Sequence, residues 1–374
     1  MYSYIARRLL LIIPTLIIIM VVNFGIIQFA PGGPVDRLVW EMRSGETNID
    51  SGFATSRSGE ATAAQPSNLM TDATRGIDAE LLEQIKKHYG FDKPAWQRML
   101  DMFAKYSCAS LLFPQYYPDA KCPDLGGSFF QDKGVWQLIV EKLPVSISLG
   151  LWSTLIIYLI SIPLGIRKAL TDGSNFDLGT SFIIIIGYAV PSFMFALIFI
   201  TLFAGGGFWQ IFPIRGLWSE GIENASTLEQ VKDYFWHLAL PIAAMVIGGF
   251  ASLTMLTKNS FLDEIGKQYV ITAKAKGLTQ RKVLFKHVFR NAMLIVIAGF
   301  PAALLGIFFT GSLLIENIFA LDGLGRLGFR AAIARDYPIV FGTLFIFTLV
   351  GLLLSLIRDI TYVLIDPRIN FDRN

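Results

Sequence analysis

The chain has 374 residues, of which 53% are apolar and only 16% charged, with a net charge of +3. Soluble domains carry about 25% charged residues, so this composition excludes an ordinary soluble globular protein. The charge deficit is concentrated in long uncharged runs, and a run of about 20 apolar residues spans a bilayer. In such a run the backbone polar groups must be satisfied internally, which predicts helices and an all-α polytopic fold.

Six spans are expected. The first, Leu9–Ala30, follows Arg7 and Arg8. It is longer than the ~7–15-residue core of a secretory signal and is read as a retained span. Residues 1–30 thus form a cytoplasmic N-terminus and the first span.

Residues 31–138 form an insert between spans one and two. Its part from Arg43 to Arg75 is rich in Ser, Ala, Thr and Gly and has too few large apolar residues to build a core, so 43–75 is read as partly disordered. From Ala79 the apolar spacing becomes helical and ends at Gly90, a good C-terminal stop. Pro94 opens a second helix at an early position that needs no N–H, with Trp96, Met99, Leu100 and Phe103 on one face. The only cysteines, Cys108 and Cys122, lie in this insert. Two readings stand for them. A bridge suits an oxidising compartment and would close a loop of about 15 residues, worth about 3 kcal/mol. The alternative is two unpaired thiols.

Residues 139–374 carry the other five spans, Leu143–Ile166, Leu178–Ala204, His237–Leu256, Ala292–Ile315 and Ile339–Ile357. Pro163, Pro191, Pro241 and Pro301 sit in or at the ends of these spans. Each removes a backbone donor and tends to kink a helix. Kinked spans suit a pathway that opens and closes, although proline is equally found in membrane helices without that role. Lys and Arg near span ends set orientation. Arg7, Arg8, Arg167, Lys168, the 258–290 loop, Arg358 and Arg368 fall on one side if the chain crosses six times. That side is the cytoplasm, with both termini inside.

No Walker A sequence occurs. Gly323-Leu324-Gly325-Arg326-Leu327-Gly328 matches the dinucleotide fingerprint formally, but a membrane helix precedes it where a strand is required. Tight glycine turns are the better reading. The span middles carry no Asp, Glu, Lys, Arg or His. Ion-coupled carriers place ionisable groups there, so the energy for any transport is expected to enter elsewhere. An ion-coupled secondary transporter is one alternative and a membrane enzyme another. The second lacks a metal-ligand cluster or a nucleophile–base pair.

The loop 258–290 carries eight basic and two acidic residues. Because it is tethered at the bilayer, anionic lipid or a protein partner explains it better than nucleic acid. Phe261, Ile265, Tyr269 and Thr272 recur at helical spacing, Gly277 stops that helix, and Thr279 caps the next, on which Leu284, His287 and Val288 form a stripe. Such a helix–glycine–helix either inserts into a partner's groove or lies flat on lipid.

The segment Tyr269, Thr272, Ala273, Ala275, Lys276, Gly277, Leu278, followed by Arg290-Asn291-Ala292, resembles the cytoplasmic coupling loop of ABC-importer permeases in the dipeptide and oligopeptide branch. Ile271-Thr272-Ala273 stands where the general pattern has Glu-Ala-Ala. Arg7-Arg8-Leu9-Leu10, Phe29-Ala30-Pro31-Gly32, Tyr89 to Pro94, Asp124-Leu125-Gly126, Leu143-Pro144, Asp322 to Gly325 and Asp366-Pro367-Arg368 resemble the first permease subunit of that branch. The insert and the cysteine-bearing stretch are similar to the subgroup that imports oligopeptides and peptide-nucleotide antibiotics of the microcin C kind.

The resemblance implies an inner-membrane, non-catalytic subunit without a cofactor of its own. ATP and Mg would be bound by partner ATPase subunits or domains, beside a second permease subunit and a periplasmic peptide-binding protein. It places Tyr269, Thr272, Ala273, Lys274, Ala275, Lys276, Gly277 and Leu278 in the coupling contact. It also assigns reception of the binding protein to Leu81–Phe103 and the 316–338 loop.

Overall fold

The computed structural model describes residues 2–29, 32–37, 79–107, 123–205, 208–309 and 313–365. The 43–75 stretch, Cys108 and Cys122 lie outside them. Among the described residues the regular structure is helical. In order, α1 is Tyr2–Phe29, α2 Ala79–His88, α3 Ala95–Tyr106, α4 Val135–Leu170, α5 Asn175–Ala189, α6 Ser192–Phe203 and α7 Thr227–Ile265. Then follow α8 Gln268–Ala275, α9 Gln280–Val283 with a π turn at Leu284–Val288, α10 Phe289–Phe309, α11 Leu313–Ile318, α12 Leu324–Ala334 and α13 Tyr337–Ile365. Five of these segments are long and apolar enough to cross a membrane, and the count reaches six if the pair α5–α6 is one span.

That pair corrects the continuous span expected at Leu178–Ala204. The two helices meet at an angle of 93°. The residue before a proline is pushed out of the helical region; Val190 is extended, with φ −95° and ψ 124°, and Pro191 opens α6. Elsewhere the helices run through their prolines, Pro144 and Pro163 in α4, Pro241 in α7 and Pro301 in α10. The expected span Ala292–Ile315 is helical over Phe289–Phe309 and Leu313–Ile318, and 310–312 lie outside the described residues. α4 and α7 contain 36 and 39 residues. At about 1.5 Å per residue both exceed a hydrocarbon core of about 30 Å; their polar ends lowered the hydropathy that would have marked their full length.

The chain divides into two compact units. One comprises Met1–Leu11, Val140–Leu327 and Leu349–Asn374, and the other Ile12–Ile139 and Gly328–Thr348. In the first, Leu149, Leu238, Ala244, Ile315 and Phe319 are fully or almost fully buried in one apolar core. Glycines let its helices approach closely: a Cβ on Gly165 would lie 2.6 Å from Thr257 Cβ, and one on Gly249 would lie 2.5 Å from Ile157 Cδ1. At the chain ends, Tyr4 Oη donates to Asp359 Oδ2 at 3.0 Å, and Arg8 pairs with the same carboxylate at 3.1 Å.

In the second unit, α2 ends at His88 and Gly90 turns with φ +71°. α3 has Pro94 at its N-cap, one position earlier than its helical placement in the sequence reading. On the expected face Trp96 and Leu100 are exposed and Met99 and Phe103 half-buried, while Tyr106 is buried. Asp336 is 2% exposed. It accepts from Phe129 N at 3.2 Å and from Ser128 Oγ, tying the 128–130 turn to the start of α13.

Candidate functional site

The segment after α7 is an elbow built on a second apolar core. Val270 and Ala273 of α8 pack with Phe261, Val283, Leu284, Val288 and Ala169. α7 ends at Ile265, and Lys267 is the N-cap of α8. The continuous stripe through Phe261, Ile265, Tyr269 and Thr272 is therefore broken. Phe261 is fully buried, whereas Thr272 is exposed and its hydroxyl donates to Gln268 O at 3.0 Å.

α8 ends in a Schellman turn. Leu278 N donates to Ala273 O at 3.4 Å and Gly277 N to Lys274 O at 2.9 Å, with Gly277 at φ +77°. This pattern satisfies the last carbonyls of the helix and favours glycine at the left-handed position. Leu278 packs against the same core as Ala273, the apolar contact that accompanies such turns. Thr279 occupies the next N-cap without a side-chain bond, and a π turn follows at 284–288.

The eight residues implied by the resemblance therefore divide. Ala273 is buried, and Tyr269 and Leu278 are half-buried. Thr272, Lys274, Ala275, Lys276 and Gly277 face outward. Tyr269 Oη donates to Glu264 Oε2 at 2.6 Å, and burial followed by the Glu264 bond pushes its pKa up. Two outward apolar side chains escaped the sequence reading, Ile271 at 54% and Phe285 at 57% exposure. Their signal was an apolar residue one position off the buried stripe.

The basic surface is smaller than the sequence count. Lys258 is buried, bonded to both Asp177 oxygens at 2.9 and 2.8 Å and paired with Asp172 at 2.8 Å. Lys267 pairs with Glu264. The outward cations are Lys274, Lys276, Arg281, Lys282, Lys286 and Arg290. Lys168, read in the sequence only as an orientation signal, is fully buried; it pairs with Asp177 Oδ1 at 2.9 Å and donates to Thr180 and Ser181.

The glycine-rich segment is the N-terminus of α12, an end whose free N–H groups attract anions. Here the anion is internal. Glu316, at 0% exposure, accepts from Arg326 N at 2.8 Å and from Gly325 N. Ser146 Oγ accepts from Leu324 N at 2.8 Å and donates to Glu316 at 2.8 Å. A Cβ on Gly323 would lie 2.4 Å from the Glu316 carboxyl carbon. The formal nucleotide match is thus a self-capped helix start. Among the described residues no group of three or more His, Cys, Asp or Glu is placed to hold a metal.

Long apolar helices, a bent pair and an outward basic elbow define a polytopic membrane protein. The chain belongs to the family of binding-protein-dependent transport system inner membrane components, whose pattern matches residues 161–371. It is 54% identical to a peptidoglycan transport system permease protein of Agrobacterium fabrum, over all of this chain and 99% of the relative. It is 52% identical to an inner membrane ABC transporter permease of Escherichia coli O157:H7, over the full length of both. An oligopeptide transport system permease of Bacillus subtilis is 32% identical over 99% of this chain and 100% of the relative. The protein is therefore a multi-pass inner-membrane transport subunit and not an enzyme.

Proposed function

We propose that this chain is the first permease subunit of an ATP-driven importer of oligopeptides, including peptide-nucleotide antibiotics of the microcin C kind. The name carried by the Agrobacterium relative favours peptidoglycan-derived peptides as a second cargo. Family membership supplies the general partners: a second permease, ATPase subunits and a binding protein outside the membrane. ATP and Mg stay on the ATPases. In this reading the N-terminus and residues 258–290 face the cytoplasm, 31–138 is the periplasmic insert, and 139–374 is the permease core. Membrane lipid surrounds the spans, and nucleic acid has no part.

The observation that carries the coupling role is the α8–Gly277 elbow. Its inner side is welded to the core through Val270, Ala273 and Leu278, so a push on the outward residues is transmitted to α7 and α10. Its outer side offers Ile271, Thr272 and Ala275, small or apolar groups ringed by Lys274, Lys276 and Arg281. A small apolar centre with a charged rim suits insertion into a protein groove. Trp96 and Leu100 on α3 form an exposed apolar pair for the binding protein.

The test is cross-linking in the assembled transporter. Thr272→Cys should cross-link to a cysteine placed in the ATPase groove, and the yield should change with ATP. A yield no higher than that of a control cysteine at Ser219, between α6 and α7, would refute the coupling assignment.

A further inference from the structure

The unit formed by Ile12–Ile139 and Gly328–Thr348 has an open cavity of about 360 Å³, within the ~300–1,000 Å³ range of small-molecule sites. α3 supplies part of its polar lining, and Gln28, Lys93 and Asp124 supply more from other segments. Arg98, Met102 and Tyr106 recur every four residues and so stack along one side of the helix.

Arg98 donates from Nη2 to Gln28 Oε1 at 2.9 Å, and its guanidinium carbon lies 4.5 Å from the Phe91 ring centroid. Among the described residues no carboxylate pairs with that guanidinium. The adjacent charges differ, because Lys93 and Asp101 pair with each other at 2.7 Å. Tyr106 is 6% exposed, and its hydroxyl bonds to no described residue. Buried hydroxyls and half-buried guanidinium groups are normally satisfied. Here the Arg98 Nε, beside the Nη2–Gln28 bond, and the Tyr106 hydroxyl are donors on a cavity wall with no acceptor among the described residues. Phe24, Phe129, Tyr337 and Phe341 supply aromatic walls.

We propose that this cavity binds a carboxylate joined to an apolar or aromatic group, the chemistry of a peptide's C-terminal residue. The guanidinium pairs with the carboxylate, Tyr106 donates to it, and the rings take the side chain. The identification with a peptide end rests on the peptide-importer reading above.

The probe is N-acetyl-L-phenylalanine, titrated calorimetrically into the complete transporter in nanodiscs. The wild type should bind it, and the amide, N-acetyl-L-phenylalaninamide, should bind at least tenfold more weakly. Arg98→Gln should weaken binding of the acid at least tenfold. Tyr106→Phe, which keeps the ring packing, should weaken it several-fold. Equal binding of acid and amide, or wild-type affinity in both variants, would overturn the site. Octanoate binding as tightly as the acid would overturn the peptide assignment in favour of a lipid-type acid. Peptide uptake by cells is measured in parallel. Uptake without probe binding sinks the cavity alone, whereas probe binding without any peptide uptake sinks the importer reading.

Discussion

The Lys258 ammonium reaches both carboxylate oxygens of Asp177, 81 residues away in sequence, at 2.9 and 2.8 Å. Lys168 approaches the same carboxylate from α4 at 2.9 Å. One acid therefore holds together the ends of three helices, α4, α5 and α7, immediately before the elbow. Asp177→Asn would leave two buried ammonium groups facing each other. Breaking a buried pair costs about 3–5 kcal/mol, so a thermal-stability assay in detergent should show a large loss. Lys258→Met keeps the Lys168 pair and should lose less. The reverse order would contradict the shared-acid arrangement.

Gly323 and Gly328 stand five residues apart and should respond oppositely to alanine. At Gly323 the added carbon meets the Glu316 carboxyl, whereas at Gly328 nothing lies within 4 Å. Gly323→Ala should destabilise by about 1–3 kcal/mol, the usual overpacking range. Gly328→Ala in the interior of α12 should be neutral or gain up to about 1 kcal/mol. Equal melting shifts would show that the glycines do not serve the cap.

Burial pushes the Glu316 carboxyl above its ordinary value of 4.5, with Asp322 adding to it and bonds from Arg326 N, Ser146 and Gly325 N opposing. Burial pushes Asp336 upward from 3.8 in the same way. A raised folded-state value means that the protonated form favours folding. The contribution is complete below the ordinary value and is lost as pH rises through the folded one. Thermal stability from these two groups should therefore fall as pH rises above about 4, first through Asp336 and then through Glu316. Glu316→Gln should flatten part of that slope, and an unchanged slope would remove Glu316 as its source.

Gly277→Leu places a side chain at φ +77°, where a Cβ costs about 1–2 kcal/mol. No atom lies within 4 Å of the added carbon, so the damage is confined to the turn and its outward surface. Peptide uptake should drop at least tenfold while the complex assembles and hydrolyses ATP. Gly277→Asn, which tolerates the left-handed region, should retain more uptake. Normal uptake in the leucine variant would end the coupling role.

Much of this was legible in the chain itself. Gly277 announced a helix stop because few other residues accept its backbone angle, and the elbow is local. The charge deficit and apolar runs foretold an all-α membrane protein. The misreadings share a cause. Lys168 and Lys258 looked like free cations because their acid, Asp177, sits on another helix. Thr272 was placed on one helical stripe with Phe261 because periodicity does not register the break at Gly266. Trp96 and Leu100 share a face as expected, but which side of α3 is covered depends on neighbours far along the chain.

Sequence alone determined the helices, their membrane character and the position of the elbow, because backbone hydrogen bonding in lipid and glycine stereochemistry act over a few residues. The tertiary structure decided which charges are neutralised, why Gly323 has no side chain, and where the third span breaks into a 93° corner. Those outcomes depend on groups brought together from distant parts of the chain, and their energies come from desolvation and close packing that no local pattern encodes.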